Sequence, residues 1–280
     1  MKLAYLSSLA IAGCVLGGIG PASAQIMSTD TPSTPHDIRV TITNEGNSSF
    51  TLTPLWFAFQ DGTFDFFDAG MPASMSLENL AEDGIVDGLV NDFNMSGVPG
   101  NRQGLVLQPQ GFPGAPVIEP GETGTAYITA LNPADYRYLS FASMVIPSND
   151  TFIGNDDPTA YQVFTAAGEI NDPSGAYTIQ IFGSDVWDAG TEENLGDGAA
   201  FSTIGGTATD TVGGSVGAAG DLSEFLNTTT PAQTTITDLI GSGELLATIT
   251  ISQVPEPTGS VLLLLGLVGG LGWRRHSAQP

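Results

Sequence analysis

The sequence predicts an all-β protein, an antiparallel β-sandwich with long loops and one or two short helices. The 280 residues include 36 Gly and 18 Pro, which favour many turns. Thr, Val, Ile and Phe recur in short runs between those turn residues, a composition typical of β-strands. A hydrophobic fraction of 41% with 14 Phe supplies a packed core, which argues against a chain disordered throughout.

The predicted strands are short runs bounded by Gly, Asn, Asp or Pro. In the first one, Ile38, Val40 and Ile42 alternate with polar residues, the period of a strand with one buried face. Pro54 has no N–H to give to a ladder, so we expect the second run to be an edge strand or to be broken there. The candidates in chain order are residues 38–43, 50–59, 123–131, 138–146, 177–182 and 245–251.

Two segments have the pattern of short helices. Residues 74–83 begin with Ser74, a good N-cap, and place their apolar residues on one stripe. Residues 160–167 are the second candidate. Residues 196–220 are dense in Gly, Ala, Ser and Thr, and we expect a mobile loop or a poorly packed insertion there.

The first 24 residues have the pattern of a removable export signal. A positive start at Lys2 is followed by an apolar run, which predicts a signal helix, and by a small-x-small site that favours cleavage after Ala24 by signal peptidase. Cys14, in a stretch that resembles a bacterial lipobox, offers the alternative of a lipidated N-terminus. Residues 25–36, rich in Ser, Thr and Pro, are expected to form a flexible lead-in.

The C-terminal residues 253–280 have three parts: Pro255-Glu256-Pro257, an apolar stretch over 259–273, and Arg274-Arg275. The apolar stretch predicts a hydrophobic helix that inserts transiently into the inner membrane, with the arginines in the cytoplasm. This arrangement resembles the PEP-CTERM sorting signal of Gram-negative bacteria that make exopolysaccharide. The resemblance implies processing by an exosortase and transfer of the body to the cell surface or the extracellular matrix.

The charge balance excludes one class of function. There are 30 acidic residues against 6 basic ones, and only Arg39, Arg102 and Arg137 lie between the terminal segments. The body therefore carries about 26 net negative charges, a field that repels nucleic acid. Cys14 is the only cysteine, so a body cleaved after Ala24 forms no disulfide and has no thiol-based site.

Four segments together carry a family resemblance: FAFQDGTFDFFDAGMPAS (57–74), LENLAEDG (77–84), RYLSFASMVIPSNDTFIGNDDPTAY (137–161) and DVWDAGTEENL (185–195). In this order they resemble the bacterial form of the spondin N-terminal domain, over roughly residues 37–252. In animals that domain belongs to extracellular-matrix proteins of cell adhesion, and it is a β-sandwich that carries a calcium ion.

The resemblance implies three calcium ligands. They are Asp150, which follows the strand ending in MVIPSN, and the two acids of the Asp188-Ala-Gly-Thr-Glu192 loop. Glu192 replaces the Asp of the animal domain, which is a conservative change for a hard cation. Thr151 replaces an aromatic residue and the domain has no cysteines, and both differences argue against an animal-type receptor role.

The residue types suit that role. Calcium takes six to eight oxygen ligands, and carboxylates on turns supply them without crowding. Loops at one end of a sandwich could bring Asp150 close to Asp188 and Glu192, with Gly190 allowing a sharp turn between the last two. An acidic loop that is merely solvated is the plainer interpretation of the same spacing. The nearby polar residues that could add oxygens are Asn149, Asp156, Asp157, Asp185 and Glu193.

Two other functions fit parts of the sequence. The body has one histidine, His36, which lies in the lead-in. Catalysis by a Ser-His-Asp triad or a Cys-His pair is therefore not expected, and we do not predict an enzyme. The pair Glu82-Asp83 leaves open a polysaccharide-active enzyme with two carboxylates. A structural coat component, lipoprotein or not, is the third possibility. Aromatic residues that could contact exopolysaccharide, or more commonly fill a core, are Trp56, Phe64, Phe66, Phe67 and Trp187.

Overall fold

The computed structural model describes residues 36–98, 102–107, 117–230 and 233–254. The predicted signal segment, the lead-in up to residue 35 and the sorting tail after Val254 lie outside these residues. Within the described residues, no helix combines the length and the apolar character needed to cross a membrane.

The described residues form two antiparallel sheets, which confirms the predicted β-sandwich. One sheet has the strand order β5-β1-β11-β8, and the other has the order β10-β9-β7-β6-β3-β4 with β2 paired to β6. The elements are β1 (His36–Asn44), β2 (Thr51–Leu52), β3 (Leu55–Gln60), α1 (Met75–Asp83), α2 (Asp87–Met95), β4 (Gln103–Val106), β5 (Thr123–Leu131), β6 (Tyr138–Ile146), β7 (Thr151–Gly154), β8 (Ala176–Phe182), β9 (Val186–Asp188), β10 (Gly217–Ala218) and β11 (Leu245–Gln253).

The main core lies between the two sheets. Ile38 of β1 and Ile249 of β11 come from the four-stranded sheet, and they belong to the same buried cluster as Phe57 and Phe141 of the second sheet. Each of these side chains is at most 1% exposed. The alternation read in β1 is therefore the alternation between this core and solvent.

A second core covers the other face of the larger sheet. Trp56 of β3 and Phe152 of β7 belong to the same buried cluster as Leu80 of α1 and Phe93 of α2. All six residues of β3 are buried, because sheet packs on one face and helices pack on the other. The domain thus has three layers, and the aromatic residues Phe64 and Phe67 fill the helix side as core residues.

The structure confirms the first predicted helix. The Ser74 hydroxyl accepts a hydrogen bond from the Leu77 N–H at 3.2 Å, and the helix ends at Gly84 with a φ of +68°. The predicted break at Pro54 is also found, between β2 and β3. The edge-strand alternative is wrong, because β3 lies inside the sheet between β6 and β4.

The predicted helix over 160–167 is wrong. Residues 161–164 are extended and residues 166–167 form a turn: the Tyr161 carbonyl accepts from the Leu139 N–H, and Phe164 forms a bridge with Ile170. Pairing with the start of β6 satisfies the backbone and buries Val163 and Phe164, so tertiary pairing overrides the weak helical pattern. The segment 196–220 is anchored in part, since Ala199 and Val216 are buried.

Candidate metal centre

Two strand ends of the larger sheet bring the predicted ligands together. Asp150 directly precedes β7, and Asp188 ends β9. These strands pair antiparallel with Thr151 opposite Asp188. The residue before one strand therefore lies beside the loop that leaves the other, and Asp150 contacts residues 189–194.

Asp150 organises this loop. Its side chain is fully buried, and Oδ2 accepts hydrogen bonds from the backbone N–H groups of Thr191 at 2.8 Å and Glu192 at 3.0 Å. The Asp150 carbonyl accepts from the Ala189 N–H at 3.0 Å. A buried carboxylate must be hydrogen-bonded to persist, and here the loop backbone supplies the donors.

The amide of Asn194 joins two of the three acids. Its Nδ2 donates to Asp150 Oδ1 and to Asp188 Oδ2, at 2.9 Å in each case. The second oxygen of Asp188 accepts from the Gly190 N–H at 2.8 Å. Asp150 and Asp188 thus lie on either side of one nitrogen.

Glu192 is held from the other side by Asn149. Glu192 Oε2 accepts from Asn149 Nδ2 at 3.3 Å, and the same nitrogen donates to the Asp197 carbonyl at 3.1 Å. The Asn149 backbone N–H donates to Asn194 Oδ1 at 3.1 Å, which fixes the orientation of the Asn194 amide. The structure therefore gathers all three predicted ligands, with two asparagine amides between them.

Gly190 is required by the shape of the loop. Its φ is +69°, a conformation that glycine adopts at no steric cost. A β-carbon at this position would also lie 2.5 Å from the Ser215 carbonyl oxygen. The turn between Asp188 and Glu192 and the close approach of residue 215 thus both depend on the missing side chain.

Glu82 of α1 is a fourth acid at this site, and the sequence interpretation did not count it among the calcium ligands. Its carboxylate lies close enough to the Thr191 side chain for that group to affect its pKa. Together with Glu78, Thr191 and Asp210 it lines a cleft of about 330 Å³ beside the loop. The signal in the sequence that could have placed Glu82 near the site is its position after Ala81, an apolar residue that the structure buries.

The site is poor in positive charge, and this changes the pKa values. Burial raises the pKa of Glu82 to about 7, and the charges of Glu192, Glu78 and Asp150 act in the same direction, against the effect of the Thr191 side chain. Burial and then the Asp150 charge raise the pKa of the Asp188 carboxyl.

The pKa of Glu192 is raised in the same way. Burial is the largest cause, and the charges of Asp150, Asp210 and Asp83 add to it, while the Asn149 hydrogen bond opposes it. The charges that contribute most to the pKa values of these three carboxyls are all negative. A cation would relieve this repulsion.

The donor atoms fit calcium in kind. They are carboxylate and amide oxygens, the ligands that this hard cation takes. Their positions do not form a complete metal site. Among the described residues, no three His, Cys, Asp or Glu side chains lie close enough together to hold a metal ion. Asn194 Nδ2 lies between Asp150 and Asp188, so binding requires this amide to present its oxygen instead.

Other acids considered from the sequence belong elsewhere. Asp156 accepts from the Ala69 N–H, Asp157 from the Thr159 N–H and Asp185 from the Phe182 N–H, so each one fixes a local turn or loop. The sequence interpretation missed Asn194, whose role depends on a side-chain orientation that no residue pattern encodes.

Comparison of the chain with models of known protein families finds no match, and comparison with curated proteins finds none.

Proposed function

We propose that this protein is an exported calcium-binding module of the spondin type, associated with the cell surface or the extracellular matrix. One observation carries the proposal: Asp150 lies far in the sequence from the loop that holds Asp188 and Glu192, yet the three acids surround a single pair of asparagine amides. A merely solvated acidic loop does not require a buried aspartate to hold its backbone.

Calcium is the cation that this arrangement favours. The donors are oxygens of three carboxylates, and an inverted Asn194 amide would add a fourth. Asp188 and Glu192 have raised pKa values because burial and like charge disfavour their ionised forms, and a dication would reverse that effect. We expect the affinity of extracellular calcium modules, on the order of 10⁻⁴ to 10⁻³ M.

Export and sorting complete the proposal. The signal-like start and the tail with Pro255-Glu256-Pro257 support delivery by signal peptidase and an exosortase-type system in a Gram-negative bacterium. Exopolysaccharide or another matrix component is then the expected partner. Mass spectrometry of the mature protein tests this step: an N-terminus at Gln25 and a processed tail support it, whereas a diacylglyceryl group on Cys14 would make the protein a lipoprotein of the coat.

Thermal unfolding with and without calcium tests the metal site. We expect calcium to raise the melting temperature, because it binds the folded chain only. Asp188→Ala removes a ligand and should abolish the rise. Asp238→Ala removes an acid from an exposed loop outside the site and should preserve it. A calcium-dependent rise that persists in Asp188→Ala would contradict the assignment.

Glu82 favours one second candidate, a polysaccharide-active enzyme. Its pKa of about 7 is that of a carboxylic acid able to donate a proton at neutral pH, and the Glu192 charge acts on it directly. The cleft of about 330 Å³ next to Glu82 offers space for a sugar. Incubation with exopolysaccharide separates the two functions: new reducing ends that Glu82→Gln abolishes support the enzyme, and calcium-dependent binding without cleavage supports the matrix module.

A further inference from the structure

The two sheets end very differently at their edges. The larger sheet ends in β10, with two residues, and in β4, with four. Short edge strands of this kind resist pairing with another chain. The four-stranded sheet ends in β5, with nine residues, and in β8, with seven. Its edges therefore have the length to accept a further strand.

Among the described residues, one of these two long edges has no neighbouring strand. β4 of the larger sheet approaches β5, where a β-carbon on Gly124 would lie 2.7 Å from a Val106 methyl group and 3.3 Å from the Leu107 carbonyl. β8 pairs with β11 along one side, and along its other side no strand of the described chain pairs with it. The side chains of Thr178 and Gln180 on β8 are exposed to solvent.

The side chains of Ser174 and Asp185 bond the backbone at the two ends of β8, at Ala176 and Phe182, but the middle of the strand lacks the devices that usually protect an edge. Its sequence, AYTIQIF, contains no charged residue and no proline. Its pairing with β11 is regular from Ala176 to Ile181. In a chain with 30 acidic residues, an uncharged edge strand of this length is the place where two copies can approach with the least repulsion.

We propose that β8 pairs antiparallel with β8 of a second copy of this chain, so that the two four-stranded sheets become one sheet of eight strands. The sequence of β8 is compatible with this pairing about a twofold axis at Ile179. Thr178 of one copy then lies opposite Gln180 of the other, and Tyr177 lies opposite Ile181.

This register keeps each side chain on its own face. Ile179 and Ile181 are buried in the core, while Thr178 and Gln180 are outside, and the twofold axis matches inner residues with inner and outer with outer. Such a contact is isologous, because the same strand serves both copies. It uses up the open edge, so the product is a closed dimer rather than a fibre.

Charge at the ends of the strand sets the expected behaviour. Asp172 and Asp185 flank β8, and the whole body is acidic, so repulsion between copies opposes the contact. Monovalent salt screens that repulsion and should strengthen the dimer. Because the contact is backbone pairing of β8 and uses none of Asp150, Asp188 and Glu192, it should persist in a chelator, which separates its outcome from that of the calcium proposal.

Sedimentation velocity of the full-length chain in mild detergent tests the pairing. We expect self-association that increases with protein concentration and with monovalent salt. The double substitution Thr178→Glu and Gln180→Glu sets like charges opposite each other twice, and should lower the association constant by at least about tenfold. The matched control, Thr123→Glu and Thr125→Glu, changes two exposed residues of β5 in the same sheet and should leave the association unchanged.

A charge-reversal experiment makes the result specific to the register. A second variant carries Thr178→Lys and Gln180→Lys, and when mixed with the glutamate variant it should restore the dimer as a mixed pair. A wild-type chain that stays monomeric at high concentration and high salt would overturn the proposal. Equal loss of association in the β5 control, or no recovery in the mixture, would overturn it as well.

Discussion

Asp150 Oδ2 accepts the backbone N–H of Glu192 at 3.0 Å, across 42 residues of sequence. The Asp150 carboxylate thus fixes the conformation of the loop. Through that conformation it positions the acids that could bind a cation. Asp188 and Glu192 are the residues that the loop presents, and Asn194 separates Asp188 from Asp150. Structural and ligand roles in this cluster can therefore be tested separately.

Loss of the Asp150 carboxylate should unfold the loop even without calcium. Asp150→Ala leaves the N–H groups of Thr191 and Glu192 and the Asn194 amide without their acceptor. Because hydrogen bonds to a charged group contribute about 1.5–3 kcal/mol each, we expect the free energy of unfolding to fall by at least about 3 kcal/mol. Urea denaturation in a chelator measures it. Asp238→Ala is the control, and a similar stability for the two variants would contradict the organising role of Asp150.

Stability in a chelator should fall as the pH rises from 4.5 to about 7. Folding raises the pKa of Glu82 from 4.5 to about 7, so the folded chain holds more protons than the unfolded chain in this window. The raised pKa values of Asp188 and Glu192 act in the same direction.

Glu82→Gln tests the source of that slope. The variant should flatten the upper part of the pH dependence, as measured by the melting temperature across the window. Glu169→Gln removes an exposed glutamate elsewhere and should keep the wild-type profile. If the slope in Glu82→Gln equals that of the wild type, the titration belongs to other groups.

Gly190→Ala should destabilise the loop for two independent reasons. An alanine here would have to adopt a positive φ, which is strained for a residue with a side chain. Its methyl group would also lie 2.5 Å from the Ser215 carbonyl oxygen. We expect a loss of about 1–3 kcal/mol in unfolding free energy, together with a weaker response to calcium. Gly70→Ala is a control with a positive φ of +83° but no neighbour within 4 Å of the new methyl group, so it should lose less.

The helix layer should contribute to stability through its buried side chains. Phe93→Ala on α2 empties a fully buried site and should cost about 3–5 kcal/mol. Met95→Ala on the same helix changes a side chain that is 76% exposed and should stay within about 0.5 kcal/mol of the wild type. Chemical denaturation compares the two. A small effect of Phe93→Ala would mean that the helices are not packed as a core.

The sequence pattern is clearest for a strand that has one buried face and one exposed face. In β1, Ile38, Val40 and Ile42 alternate because one side of the strand meets the core and the other meets water. β3 lacks such an alternation because both of its faces are buried. The run 160–167 misleads for a related reason: Val163 and Phe164 are buried through pairing with distant residues, which a local pattern does not contain.

The sequence provides three of the four acids of the candidate site. Asp150, Asp188 and Glu192 follow from a motif, but the contribution of Glu82 depends on where α1 lies over the larger sheet. Asn194 depends on the direction of one amide. Both are properties of packing between segments far apart in the chain, and the residue types themselves are as common on open surfaces.

The chain leaves β3 after Gln60 and returns at Gln103, whose partner in the β3–β4 ladder is Ala58. The segment between these points, which includes both helices, is consequently an insertion between two paired strands, and it begins and ends at neighbouring positions of the sheet. A tight hairpin could replace it without altering strand connectivity, but it would expose Trp56 and Phe152 and would remove Glu82 from the candidate site. In protein engineering, α1 and α2 with their loops could therefore be exchanged as one unit for another structure that covers the Trp56 indole.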